Sequence, residues 1–190
     1  TTIRSSGDTL LELINDILDF SKIEAGKLEL ESREFALDST LDSTVELFRP
    51  LAARKGLQLQ LQLSPDLPAY VRGDRTRLRQ IVSNLLGNAI KFSAAGAAVE
   101  LRVSLAAGKH LFSVRDYGIG IAPAYHQQIF GLFQRLHPKS AYPGTGVGLA
   151  LVKKGVERMG GRVGVESQPG EGSRFWVELP ADNSTALPSG

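Results

Sequence analysis

NLLGNAIKFS, residues 84–93, ends a helix that Asp74 caps, and the two faces of that helix separate a plain surface from a site. At about 100° per residue, Ile81, Leu85, Ala89 and Phe92 fall on one side, and Gln80, Asn84, Asn88 and Lys91 on the other. Asparagine is a poor helix former because its amide competes for backbone hydrogen bonds, so two of them one turn apart carry a cost. A solvated face is the plain explanation. The sharper one gives an asparagine carbonyl oxygen to a hard Mg²⁺ ion, with Lys91 beside it for phosphate. The rest of the chain decides between them.

Working outward, Leu57 to Leu63 alternates leucine with glutamine, which predicts a strand with one wet face, and residues 64–68 read as a turn. Before it, a helix is expected from Asp38, as N-cap, to Arg54–Lys55, with Leu41, Val45, Phe48 and Ala52 inward and a kink at Pro50. Leu28–Glu31 looks strand-like. The first 25 or so residues predict one helix, with Leu10, Leu13, Ile14, Ile17 and Phe20 at spacings of three and four and Gly26 as its stop. Leu11 and Leu18 widen that apolar face, so the helix wants more than one neighbour, as in half of a helical hairpin whose mate is absent.

Downstream, Val99, Leu101, Val103 and Leu105 alternate with polar residues, and residues 106–109 turn the chain into a returning strand, His110 to Arg115. Residues 117–148 are rich in glycine and proline, with one short helical piece near Tyr125–Phe130; so long an irregular stretch is usually functional. A helix from Val147 to Met159 and a hairpin of 162–166 with 173–179 complete the pattern. The order predicts an α+β fold: a two-layer sandwich of a mixed, mostly antiparallel sheet and helices, preceded by one bundle-type helix. Residues 1–26 would form that helix, 27–180 the main domain, and 181–190 a linker or tail.

Of the 190 residues, 42% are hydrophobic and 22% charged, an ordinary balance for a chain that buries its own core. The absence of cysteine excludes a disulfide framework, a thiolate metal site and a cysteine nucleophile. A formal charge of +2, with the basic residues scattered, argues against nucleic acid as a partner. No stretch approaches the roughly 20 apolar residues of a membrane span, and no signal peptide is visible.

Two further features bear on the helix. Phe112, Val114 and Asp116 share a parity, so Asp116 faces the core where its strand ends, and a buried carboxylate needs a donor. The exocyclic amine of adenine would suit it; a turn-capping aspartate before glycine is the plain alternative. Gly144-Thr-Gly-Val-Gly-Leu149 runs into a helix, where its amides and the helix N-terminus form a phosphate cradle, or only a flexible loop. It is neither a P-loop nor the dinucleotide fingerprint.

The residues 84–93, then Asp116-Tyr-Gly-Ile-Gly120, then Phe130-Gly-Leu-Phe133, then Gly144–Leu149 resemble, in order, the N, G1, F and G2 boxes of sensor histidine kinases. That family's catalytic domain has the Bergerat fold, shared with gyrase-type ATPases, Hsp90-type chaperones and MutL-type repair proteins, and the resemblance covers about residues 34–180. Residues 14–26 look like the second helix of the dimerisation domain of hybrid kinases. The resemblance implies that Asn88 ligates Mg²⁺ and Lys91 contacts the phosphates of ATP. Asp116 would accept from the adenine amine, with Gly118 and Gly120 letting the nucleotide approach. Phe130 and Phe133 would anchor a lid over about Gln134–Pro143, and Arg135 would reach the terminal phosphate. Thr145, Gly146, Gly148 and Leu149 would wrap the phosphates at the helix start. Asn84 stands where gyrase-type and chaperone-type relatives carry a water-activating glutamate, and an amide cannot serve as a general base.

The implied reaction moves the γ-phosphoryl group of Mg-ATP to a histidine on a dimerisation domain, for relay to an aspartate of a response-regulator receiver. His110, His126 and His137 are each read as surface or packing residues, so the acceptor is expected outside this chain, with no self-phosphorylation. The same resemblance implies a homodimer in the full-length protein and a cytoplasmic domain, with inner-membrane anchoring of the whole left open. Tyr117, where asparagine is common, departs from the pattern. A degenerate kinase acting as a binding module through the first helix is the alternative, and a gyrase-like ATPase is disfavoured by Asn84.

Overall fold

Alternation builds the sheet. In the computed structural model, which describes residues 2–136, 142 and 144–181 (backbone alone for 2–9 and 12), five strands lie in the order β2-β4-β5-β7-β6. They are β2 (Gln58–Leu63), β4 (Ala98–Ala106), β5 (Lys109–Asp116), β6 (Arg162–Gln168) and β7 (Gly172–Pro180). β2 pairs with β4 in parallel, Leu59 beside Val99, and every other neighbour is antiparallel. One parity of each strand, including Val99, Leu101, Val103, Phe112, Val114 and Val177, is buried in a single core. The other parity stays wet, with ion pairs Arg102–Glu100, Arg174–Glu166 and Arg162–Glu178. The expected two-layer α+β arrangement, with a mixed sheet, is what the chain adopts.

The second layer is α2 (Leu37–Arg54), α3 (Arg75–Phe92) and α4 (Gly148–Arg158), the central α3 burying Leu78, Ile81, Val82, Leu85, Leu86, Ala89 and Ile90. Asp74 caps α3, accepting from the Arg77 amide at 2.9 Å, and its other oxygen accepts from the Glu31 amide at 3.1 Å. At the far end the Lys55 ammonium donates to the carbonyls of Ile90 and Lys91, a cation on the negative end of the helix.

The remaining helix, α1 (Thr2–Glu24), ends at Gly26, whose φ of +67° suits a glycine stop. Phe20, Ile23 and Leu28 bury against Val147, Ala150 and Leu151 of α4 and its approach. That satisfies one flank of the broad apolar face. Leu10, Leu11, Ile14, Ile17 and Leu18 stay exposed on the other, in keeping with a helix that wants a second neighbour. No described helix is long and apolar enough to cross a membrane.

Local expectations fail where tertiary contacts decide. Leu28–Glu31 is not a strand; Leu28 is drawn instead into the α1–α4 contact. Asp38 is not the N-cap of α2. The chain passes directly from β1 (Arg33–Ala36) into the helix, with Ala36 at the cap and the Leu37 amide bonded to the Ala69 carbonyl. β1 pairs with a strand not expected from the sequence, β3 (Tyr70–Gly73), in a separate two-stranded sheet. The helical piece near residues 125–130 is two single 3₁₀ turns, Pro123–Tyr125 and Gln128–Phe130.

Candidate functional site

The polar stripe of α3 is half-buried, because it walls a cavity of about 230 Å³. Asn84, Asn88 and Lys91 form one side; Asp116 and Gly120 lie at the sheet end; Thr145, Gly146, Gly148 and Leu149 close the other side, with Arg135 above. Ile121, Ile129 and Phe175 add apolar surface, as a flat aromatic ligand would require. Gly118 and Phe133 are not among the lining residues. Phe130 is buried in the core, edge-on to Phe175 at 6.3 Å, while Phe133 is exposed.

Asp116 is 3% exposed. Its Oδ1 accepts from the amides of Gly118 at 3.0 Å and Ser173 at 3.2 Å, so two strand ends hold the carboxyl in a fixed plane. Burial pushes its pKa up from 3.8 to about 6, against the opposing pull of those two amides and of Arg115. At neutral pH it is therefore an anionic acceptor held in a dry place. That is the group an exocyclic amine would meet.

Lys91 sits at the opposite end, its ammonium 4.4 Å from the Phe92 ring centroid. Burial lowers its pKa, and the neighbouring Arg135 cation lowers it further. Burial and the neighbouring cation both disfavour the charged form of Lys91, and an anionic ligand would offset that cost. Arg135 is held by the backbone: its guanidinium donates to the carbonyls of Gly144 and Tyr142. Tyr142 in turn lies against Phe92, ring centroids 4.9 Å apart. Of the expected lid, residues 137–141 and 143 lie outside the described residues, as do His137 and the tail 182–190.

The glycines answer to packing as much as to any ligand. A Cβ on Gly118 would stand 2.2 Å from the Phe92 carbonyl oxygen, and one on Gly120, at φ +69°, 1.8 Å from that of Gln168. On Gly148 it would come 3.2 Å from Asn84 Oδ1, a tight approach that would push on that side chain. Phe133 carries φ +60°, rare for a side-chain residue, and its amide bonds to the Gly146 carbonyl at 2.9 Å. Amide oxygens on α3, a primary ammonium, a glycine loop at the start of α4 and an opposing carboxylate suit a metal-bound triphosphate carrying a purine. Among the described residues no cluster of three His, Asp or Glu side chains could hold a metal without such a ligand.

Several contributors gave no sequence signal. The Ser173 amide acts through backbone, 57 residues from the carboxylate it holds. Tyr142 in the expected lid and Phe175 in the expected last strand were not singled out, and Asp16 reaches the cavity from α1.

Residues 73–183 match the family described as histidine kinase-, DNA gyrase B- and HSP90-like ATPases. The chain is 44% identical over 187 residues to the signal transduction histidine-protein kinase BarA of Escherichia coli strain K12, covering 95% of this chain and 20% of that protein. It is 45% identical over 181 residues to the circadian input-output histidine kinase CikA of Synechococcus elongatus, covering 94% of this chain and 24% of that one. It thus spans between a fifth and a quarter of these curated relatives. Full-length ShkA, solved in complex with AMPPNP, superposes with a TM-score of 0.86 at 40% identity, over 95% of this chain and 38% of that one. The mycobacterial sensor histidine kinase MprB gives 0.66 at 27%, over 79% and 97%.

Proposed function

This chain belongs to the family of histidine kinase-, DNA gyrase B- and HSP90-like ATPases, and we propose that it is the ATP-binding catalytic part of a hybrid sensor histidine kinase. One observation carries the reading: Asn88, on α3, and Asp116, at the end of β5, line a single cavity between a glycine loop and a pair of cations. The likeness to BarA and CikA supports the kinase branch of the family, and the AMPPNP complex of ShkA supports an adenine nucleotide as ligand.

In this reading Asp116 accepts from the adenine amine, and the apolar surface of Ile121, Ile129 and Phe175 takes the ring. Asn88 would hold a divalent cation through its amide oxygen, while Lys91 and the amides around Thr145 and Gly146 would hold phosphate oxygens. Magnesium, when bound, offsets the charge of the triphosphate. Arg135 fixes the backbone of residues 142 and 144 over that end. Catalysis then rests on positioning and charge neutralisation. The bond from the γ-phosphorus to its bridging oxygen breaks, a bond to an imidazole nitrogen of a histidine outside this chain forms, and ADP leaves. From there the phosphoryl group passes to a receiver-domain aspartate. Asn84 cannot take a proton from water, which keeps hydrolysis slow.

Calorimetry with a non-hydrolysable ATP analogue tests the reading. The chain should bind in the presence of Mg²⁺, and Asn88→Ala should lose affinity only when the metal is supplied. No heat from the unaltered chain at millimolar analogue would overturn it.

A further inference from the structure

Asp16 belongs to α1, outside the family-matched residues, yet it lines the cavity with Asn84 and Asn88. Its place is fixed from two sides. One turn further along α1, Asp19 Oδ2 accepts from Arg77 Nη1 at 3.0 Å and from Gln80 Nε2 at 3.1 Å, in a half-buried ion pair. Stepping back one turn from Asp19 reaches Asp16, and stepping forward one turn from Gln80 reaches Asn84, so Asp16 faces the two asparagines. On the other side Phe20 and Ile23 pack on Val147 and Leu151, at the exit of the glycine loop. A carboxylate carried by a helix so anchored is part of the cavity wall.

We propose that Asp16 makes this cavity selective for the divalent-metal complex of a nucleoside triphosphate over the metal-free triphosphate. The inference rests on the ATP-binding reading above. A fixed carboxylate at the end where the amide oxygens lie repels uncompensated phosphates. The same carboxylate accepts from the water shell that Mg²⁺ keeps when few protein ligands replace it. Asp16 is thus a specificity-determining residue supplied by α1, and detaching α1 relaxes the choice.

Calorimetry with a non-hydrolysable ATP analogue, once in excess Mg²⁺ and once in excess chelator, compares the unaltered chain with Asp16→Asn and Asp19→Asn. Asp16→Asn should weaken the metal complex about five- to tenfold and tighten the metal-free analogue by a similar factor. Asp19→Asn, which weakens one of the two anchors of α1 without touching the cavity, should shift both affinities in those same directions by a smaller factor. Equal effects on both ligand forms, or none, would overturn the proposal while leaving ATP binding intact. Failure of the unaltered chain to bind either form would overturn both.

Discussion

Asp116→Asn should weaken nucleotide binding and stabilise the unliganded chain at once. Burial raises the carboxyl from 3.8 to about 6; at about 1.4 kcal/mol per pH unit, that is about 3 kcal/mol against the ionised form in the folded chain. Asparagine has the same shape and no such penalty. Binding moves the other way. The amides of Gly118 and Ser173 both donate to Oδ1, so the asparagine carbonyl must take that place and its NH₂ must stand where Oδ2 was. A donor would then confront the adenine amine, also a donor. Losing a charge-assisted bond and stranding a polar group costs about 2–4 kcal/mol, or about 30- to 1,000-fold in Kd. Calorimetry at pH 7.5 reads the second effect and thermal unfolding without nucleotide the first. pH supplies a further check. Between 3.8 and about 6 the folded chain keeps a proton that the unfolded chain has released, so this group's contribution to stability falls as pH rises through that window. The variant should lack that slope, and the unaltered chain's nucleotide affinity should decline below pH 6. A variant that binds within threefold of the original, or that melts at a lower temperature, would refute the reasoning.

His110 is buried with Nε2 unpartnered among the described residues, and burial lowers its pKa, so the folded chain holds it neutral. Its contribution should be full above the unfolded value of about 6.5 and lost as pH falls; His110→Leu should shrink the drop in melting temperature between pH 7 and 5.5, with Asp116 common to both chains. Gly120→Ala should cost more than 3 kcal/mol by urea unfolding, since its Cβ meets the Gln168 carbonyl at 1.8 Å, whereas Gly170→Ala, at φ +81° in open space, should cost about 1–2 kcal/mol.

The fold was legible wherever one face of an element is dry. Leucine alternating with glutamine in β2, and valine or leucine with charge in β4, have only one arrangement that hides the apolar parity. β1 and β3 lack that signature: four residues each, mostly half-buried or exposed, paired with one another outside the main sheet. The start of α2 was misread because Asp38 is a better cap than Ala36 on propensity, and the Ala69 carbonyl outranks propensity there. At the site, Asn84, Asn88 and Asp116 stood out as residues costly in their own elements, and Lys91 by sharing the asparagines' face. Asp16 did not, since an acid on a helix is unremarkable until the helix is seen to lie against α3.

The two ends of the cavity are built differently, and the difference follows from where their hydrogen bonds go. At the Asp116 end the sheet does the holding: Ser93 bridges to Gly118, the Gly170 amide bonds to the Ile119 carbonyl at 2.8 Å, and the Ile121 amide to Ser167 Oγ at 2.8 Å. These contacts tie the loop after β5 to the end of α3, to β6 and to the turn between β6 and β7. At the Lys91 end, the loop that enters α4 is held by the Phe133 amide on Gly146 and the Arg135 guanidinium on Gly144. Both partners lie outside the sheet, and Phe133 adopts a left-handed backbone that costs about 1–2 kcal/mol. An acceptor for a purine can be placed once and left, because the base does not change in the reaction. In the reading proposed above, the phosphate end would close on a triphosphate and release a diphosphate, and there the walls are tied by a few side-chain and loop contacts instead of by the sheet.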